Sequence, residues 1–311
     1  MKTLIGFLTA ILLAICLSPA GSGAAVELKL NLRPGASYRV RSESFNRMVQ
    51  SMAGIEIEMS QRIVIYYTFT VLRATREGEF TLAVRHEAVS VELESIRGDV
   101  RWDSNTGGEP EHPLAKGLAR LVGESYTLRL DSRGKVLDLL GLDRITEKMA
   151  SGVELPDGDS REMVVDGLRE MAGEQAQKEM LGQLFGVYPP RPVDPGESWR
   201  VNDTGNALPI QRRGELTLRE VAGGEAVVGM DAVLSTGGES LRRKLGPLEV
   251  EMELEGVQTG TFRIDLDSGW ITHRELKIVI NGSYSLVDGP KLFAGRKMPV
   301  TMESTISWEP F

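Results

Sequence analysis

The stretch from Ile55 to Val71 constrains the fold of this chain more than any other. Its apolar residues fall mainly on odd positions and its polar residues on even ones, the period of two that a strand with one buried face requires. At about 3.3 Å per residue such a strand spans roughly 60 Å, whereas ordinary strands have about 5–6 residues. The pattern therefore predicts either a strand broken by a bend or a large, strongly curved sheet.

The segment after the turn at Glu77-Gly78 is the expected partner of this strand. Its apolar residues occupy even positions over residues 80–84 and odd positions over residues 89–93. Such a change of phase is typical of a β-bulge, which inserts one extra residue into a strand. Residues 248–255 alternate in the same way, which favours antiparallel strands with one wet face.

A turn-and-strand motif occurs twice in the chain. Residues 34–40 (PGASYRV) return as residues 195–201 (PGESWRV). Pro and Gly suit successive positions of a β-turn, and the following residues alternate as in a half-buried strand. Other landmarks recur in the same order: Leu72-Arg73 and Gly78-Glu79 match Leu218-Arg219 and Gly224-Glu225, and residues 126–132 match residues 262–268. We therefore interpret residues 26–150 and 187–311 as two related β units.

Residues 151–186 form a helical connector between these units. Apolar residues recur every four positions, and the segment ends at Gly186 before Pro189-Pro190. This spacing predicts a long amphipathic helix with a kink at Gly173. The expected fold is β-dominated α+β: two antiparallel β units form one curved, half-barrel-like sheet, and the long helix packs on its apolar face. Residues 26–311 are expected to form one compact domain.

Residues 1–25 have the pattern of a signal peptide. Lys2 precedes an apolar region, and small residues before Val26 suit cleavage there. Anchoring as a lipoprotein through Cys16 is disfavoured, because Ile15 occupies the position where a lipobox has a small residue. No later stretch is long and apolar enough for a transmembrane helix. The prediction is an exported protein, periplasmic or extracellular.

Composition excludes several classes of function. Cys16 is the only cysteine, so the chain after the signal peptide has no disulfide or thiolate chemistry. A net charge of −8 argues against a nucleic-acid partner, which needs a basic surface.

The sequence contains no recognisable catalytic set, metal site or cofactor motif. His86, His112 and His273 share no short spacing, and phosphate-loop, dinucleotide and Gly-x-Ser-x-Gly motifs are absent. Asp265, Asp267 and Gly269 faintly resemble a calcium loop but lack its other ligands, which favours a hairpin turn. The glutamates of residues 249–255 favour a solvated sheet face, with a cation or a basic partner as the alternative.

Three methionines and two leucines of the connector are the candidate apolar binding residues. They are Met163, Leu168, Met171, Met180 and Leu184. Methionine suits adaptable binding surfaces and equally fills gaps in ordinary cores. Both interpretations stay open.

Several turn and loop segments together resemble the pattern of a known family. They are residues 32–39, the Trp102-Asp103-Ser104 loop, residues 121–123 before 130–134, and residues 192–199. It is the bacterial domain-of-unknown-function family numbered 6263, whose members are exported proteins. The resemblance implies export and brings no activity, ligand or catalytic residue. A weaker architectural similarity is to periplasmic lipoprotein carriers, in which a half-barrel sheet holds helices over an apolar cavity.

The hypothesis from the sequence is a non-enzymatic exported protein that binds a lipid-like or other apolar ligand between sheet and helix. The alternative is a structural or protein-interaction module of the cell envelope with a fully packed core. Such a module would use the acidic strand face or the Trp102 loop for contacts, and its protein partner stays unknown. A cavity of several hundred Å³ under the helix distinguishes the two hypotheses.

Overall fold

The computed structural model describes residues 25–311 except 53, 97, 154–157, 205–209, 238–239, 246–247 and 289–294. The predicted signal peptide therefore lies outside the described residues apart from Ala25. Four helices lie within the described part: α1 (Pro113–Ala119), α2 (Leu142–Ser151), α3 (Asp159–Ala172) and α4 (Glu174–Phe185).

The strands form one antiparallel sheet that is not closed, with the order β6-β5-β3-β2-β1-β13-β12-β11-β9-β8-β7. The short strands β4 and β10 pair with β3 and β11. The strands, in chain order, are β1 (Ser37–Met52), β2 (Ile55–Ala74), β3 (Glu79–Glu94), β4 (Val100–Asp103), β5 (Ser125–Asp131), β6 (Val136–Leu140), β7 (Ser198–Thr204), β8 (Gln211–Ala222), β9 (Glu225–Ser235), β10 (Leu241–Leu245), β11 (Leu248–Asp265), β12 (Ile271–Asp288) and β13 (Met298–Pro310).

The long alternating stretch is a single strand of 20 residues, β2. Its ladder with β3 pairs Tyr66 with Ala88 and Tyr67 with His86, so Glu87 is an extra residue. The bulge inferred from the change of phase is thereby confirmed. It allows Tyr67, His86 and the residues beyond them to share one buried face, called the inner face here.

The repeated motifs occupy matching places in the sheet. Gly35 and Gly196 have φ of 84° and 92° and end the turns that lead into β1 and β7. The extended segment of residues 27–32 links the two matching hairpin turns: Leu30 N donates to Ser132 O at 2.9 Å, and Asn31 N donates to Ser268 O at 2.7 Å. Strand β13 pairs with β1 and β12, so both groups of strands belong to one sheet.

The two copies also share a bulge near the end of a strand. Leu72 is the extra residue of β2 and Arg219 is the extra residue of β8. The bulges are therefore displaced by one residue relative to the sequence match of Leu72 with Leu218.

An aromatic cluster joins the strands to the end of the helical segment. The ring of Phe69 lies 5.3 Å from that of Trp270 and 5.4 Å from that of Trp308, and Phe185 lies 5.5 Å from Trp270. All four side chains are almost fully buried. Aromatic residues bury large apolar areas, so this cluster is a major source of stability.

The prediction of one long amphipathic helix in the connector is wrong. Its residues belong to the end of α2 and to the separate helices α3 and α4. Gly173 lies between α3 and α4 with φ −66° and ψ 160°, an extended conformation that ends α3. A Cβ atom at this position would lie 2.4 Å from Arg169 O, so glycine permits a full break where the sequence indicated a kink.

Candidate functional site

A cavity of about 370 Å³ lies between the inner face of β1 and β2 and the helices. Its lining combines residues of strands β1, β2 and β3 with residues of all four helices. Ligand sites commonly have volumes of about 300–1,000 Å³. The size of the cavity therefore falls in the range of small-molecule sites.

One wall of the cavity is apolar. Leu142, Ile145 and Met149 lie three and four residues apart on α2, the spacing that places side chains on one helix face. Leu118 of α1 and Leu121, which follows this helix, extend the wall. These five side chains are nearly inaccessible to solvent, so the wall is well packed from behind.

The opposite wall carries hydroxyl and amide groups. Ser42, Ser44 and Asn46 alternate along β1 and point to the inner face, and Gln61 of β2 pairs with Asn46 in the ladder. Asn46 Nδ2 donates to Ser44 Oγ at 3.1 Å, and Ser304 Oγ donates to Asn46 Oδ1 at 2.7 Å. The cavity thus has a polar strip facing an apolar wall, which suits an amphipathic molecule.

His86 lines the same cavity and is only 5 % exposed. Its Nδ1 lies 3.2 Å from Glu124 O, a distance at which an Nδ1–H group donates to the carbonyl. Burial lowers the pKa of His86 to about 4, so the imidazole is neutral at pH 7. The rings of Tyr67 and Tyr126 pack within 6 Å of it. A neutral ring in this position preserves the apolar character of the cavity.

The structure separates the five candidate residues of the connector. Met180 lies at the cavity wall, whereas Leu184 is buried in the packed core. The side chains of Met163, Leu168 and Met171 lie outside the described residues. Sequence reasoning missed Ser42, Ser44 and Asn46, although their positions continue the inward phase of Tyr38 and Val40 on β1. That phase was the signal that could have revealed them.

The remaining chemical candidates have structural roles. His112 caps α1, because its Nδ1 accepts from Leu114 N at 3.3 Å. Asp265 Oδ1 accepts from Ser268 N at 2.8 Å within the hairpin turn, as the turn interpretation requires. Within the described residues, His, Cys, Asp and Glu form no group that could hold a metal ion.

The glutamates of β11 lie on its outer face, opposite in phase to the buried Val250 and Leu254. Glu253 pairs with Lys297 at 2.6 Å, and Glu251 lies 3.6 Å from Arg242. Paired surface charges of this kind contribute little to stability.

A second concavity, about 780 Å³, is an open groove beside Trp102. Trp102 and Asp103 end strand β4, so they are not part of a loop as the sequence suggested. The indole Nε1 donates to Gly108 O at 3.0 Å and holds the following loop against the strand. The groove is larger than the cavity under the helices, but it is lined by charged groups, including Asp99, Glu109 and Glu111.

The fold and cavity define an open antiparallel β-sheet protein with helices over part of its inner face. The profile of a family of unknown function, DUF6263, matches residues 77–271, which is more than half of the chain. The protein belongs to this family, and the resemblance noted in its turn motifs is confirmed. No curated protein matches the sequence.

The chain is similar to several solved structures. A lipovitellin structure concerned with lipid–protein interactions has a TM-score of 0.50 and 11 % identity, with 90 % of this chain and 25 % of that chain covered. The chain thus spans about a quarter of that protein. The translocator domain of the autotransporter NalP from Neisseria meningitidis has a TM-score of 0.21 at 8 % identity, with 91 % of each chain covered. A DUF1329 family protein from Desulfovibrio piger has a TM-score of 0.14 at 7 % identity over 88 % of this chain and 85 % of that chain. Across the described residues, every helix is too short or too polar to span a bilayer.

Proposed function

We propose that this protein is exported and binds a lipid-like or other apolar molecule in the cavity between β1, β2 and the helices, without catalysing a reaction. The observation that carries the proposal is the cavity of about 370 Å³ with an apolar wall. Well-packed protein interiors leave only small voids. A space of this size between sheet and helices is therefore the feature that a fully packed structural module would lack.

The lining supports an amphipathic ligand. Apolar cavities are poorly hydrated, so an apolar chain gains free energy by entering one. The hydroxyl and amide groups of Ser42, Ser44 and Asn46 supply donors and acceptors that would orient a more polar portion of the ligand.

Two further observations support parts of the proposal. The fold similarity to lipovitellin, a protein described for its lipid–protein interactions, supports lipid binding at the level of architecture. Export rests on the signal-peptide pattern of residues 1–25.

The test is native mass spectrometry of the full chain expressed in a bacterial host with export, followed by extraction of bound molecules. We expect a stoichiometric apolar adduct and retention of the neutral probe N-phenylnaphthylamine. Ser44→Phe fills the cavity from β1 and should abolish both signals. The matched control Thr305→Phe places the same ring on the exposed outer face of β13 and should retain them.

A clean mass without adduct, together with no binding of the probe or of extracted envelope lipids, would contradict the proposal. The second candidate function is an envelope interaction module, and the charged groove beside Trp102 is the observation that favours it. In that case Trp102→Ala should reduce co-purification of a partner, while Ser44→Phe should not.

A further inference from the structure

Three polar side chains are buried on the inner face of the second unit. Arg212 on β8, Gln258 on β11 and Arg274 on β12 are 5 %, 2 % and 6 % exposed. Polar groups are rarely buried to this extent unless they have partners. Their placement on the inner face therefore demands an explanation.

Each of these side chains has a buried donor atom without a partner. Arg212 Nη1, Gln258 Nε2 and Arg274 Nε form no hydrogen bond within the part of the chain that the structure describes. Guanidinium and amide nitrogens are donors only, so all three atoms call for an acceptor. Buried donors without an acceptor destabilise a fold, which argues that an acceptor is supplied from elsewhere.

The charges of this cluster do not balance. Arg212 forms an ion pair with Asp203, with Nε 3.0 Å from Oδ1. Arg274 has no ion pair among the described residues, and its guanidinium lies 5.8 Å from the ring centroid of Phe262. Two cations therefore face one carboxylate. Buried charges are normally compensated, so an additional anion would complete the cluster.

The guanidinium group of Arg212 influences that of Arg274. Burial and the positive charge of Arg212 lower the pKa of Arg274 to about 9. Arg274 still carries its proton at pH 7, so the net positive charge is present under ordinary conditions.

The sheet places this cluster beside the cavity. Arg274 pairs across the ladder with Trp308, and Trp308 pairs with Ser42 of the cavity wall. Adjacent strands lie about 4.8 Å apart, so the backbones of β12 and β1 are separated by about 10 Å. Gln258 belongs to a similar row of paired residues, which crosses β11, β12, β13 and β1, includes Ser304 and ends at Asn46. The unpaired donors and the polar strip of the cavity therefore share one face.

We propose that Arg212, Gln258 and Arg274 bind the anionic head group, a carboxylate or a phosphate, of an amphiphile whose apolar chain occupies the cavity. The inference rests on the proposed function, since it names the class of ligand for the same interior. Arginine suits this role because its planar guanidinium presents paired donors to carboxylate and phosphate oxygens.

The experiment compares palmitate with methyl palmitate, its uncharged ester, as competitors of N-phenylnaphthylamine. Hydrogen bonds to charged groups favour palmitate by at least about tenfold in the native protein. Arg274→Met removes the charge with little loss of volume and should abolish this preference, while binding of the neutral probe is retained. The matched control Arg263→Met changes an exposed arginine on the outer face of β11 and should leave the preference intact.

Thermal unfolding separates a ligand site from a structural role. Removal of an uncompensated buried charge should leave the unfolding midpoint of Arg274→Met unchanged or raise it, since apolar replacements of buried charges are often stabilising. A lowered midpoint together with loss of neutral-probe binding would assign Arg274 a structural role and overturn the inference. If Arg274→Met does not fold, Gln258→Leu decides the question. It removes one donor without a change of charge and should weaken palmitate but not its ester.

The remaining outcomes separate the inference from the proposed function. Binding of both competitors with equal affinity overturns the head-group site and leaves the cavity function standing. Failure of the neutral probe and of both competitors overturns the two together. Inorganic phosphate that raises the unfolding midpoint of the native protein but not of Arg274→Met, without any preference for palmitate, identifies a free-anion site and overturns the amphiphile.

Discussion

The two β units begin with the same turn and strand but cover their inner faces in different ways. Helices α1 to α4 cover the inner face of the first unit and enclose the cavity. In the second unit the strands carry inward glycines at which their neighbours approach closely: a Cβ atom on Gly256 would lie 2.3 Å from Val279 O, and one on Gly260 would lie 2.2 Å from Leu276 Cδ2.

The inner face of the second unit carries buried side chains of its own strands. Leu234, Leu254, Ile280 and Val300 form a small apolar cluster, and the buried polar residues Arg212, Gln258 and Arg274 lie on the same face. The difference teaches that a repeated strand pattern specifies an apolar face but not what covers it. In the first unit α1 lies between β4 and β5 and α2 follows β6, whereas in the second unit β13 is the next described element after β12.

The largest expected effect concerns the hairpin turns of the two units. The end of α4 packs against the turn of the first unit, and the N-terminal segment (residues 27–32) packs against the turn of the second. Gly134 and Gly269 hold matching turn positions with φ of 77° and 68°. A Cβ atom at either position would lie 1.9 Å from a backbone oxygen, that of Phe185 or of Lys29. Gly134→Ala and Gly269→Ala should each lower the free energy of unfolding by about 4 kcal/mol, measured by urea denaturation, because strain and overlap add.

The matched controls are the other repeated glycines. Gly35 and Gly196 have positive φ but nothing within 4 Å of an added Cβ atom. Their alanine variants should lose only the part of the unfolding free energy that comes from backbone strain, about 1–2 kcal/mol. Equal losses at Gly196 and Gly269 would show that the N-terminal segment does not press on the second hairpin.

The aromatic residue of the repeated motif offers the next test. Trp199 is 9 % exposed and its Nε1 donates to Val187 O at 3.1 Å, whereas Tyr38 is half-buried and stacks on Trp270 at 4.2 Å. Trp199→Ala should cost about 3 kcal/mol in unfolding free energy and Tyr38→Ala about half as much. Trp199→Phe, which removes the hydrogen bond, should cost about 1 kcal/mol. A larger loss for Tyr38→Ala would reverse the expected ranking of the two units.

The last of the main effects, smaller than those expected for the turn glycines and for Trp199→Ala, concerns the cavity of the first unit. Because the pKa of His86 falls from its ordinary 6.5 to about 4, the unfolded state binds more protons than the folded state between these values. Stability is complete above about pH 6.5 and declines as the pH falls toward about 4, with a loss of about 2 kcal/mol between pH 7.5 and pH 5.

Urea denaturation at these two pH values measures that loss. His86→Gln should abolish most of the His86 contribution, because the amide does not titrate. The exposed His273→Gln should leave it in place. An equal decline in the native protein and in His86→Gln would show that other groups cause the pH dependence.

Much of the sheet could be predicted from local patterns. Strand β2 and the bulge at Glu87 follow from period and phase alone, because one buried face imposes both. The break at Gly173 could not be separated from a kink, since the apolar spacing continues across it. The polar strip of β1 was open to the same phase argument, but serines on a strand carry no sign of which face a helix will cover.

The amino-acid sequence by itself determined the strands, the matching turns, membership of the family and the pattern expected of an exported chain. Only the tertiary structure decided that helices leave a cavity over Ser44 and that Arg274 lies buried near Arg212 without an ion pair among the described residues. The physical reason is the range of the interactions. Periodicity reflects contacts between neighbours in sequence, whereas a cavity and a buried charge depend on packing between strands that are distant along the chain.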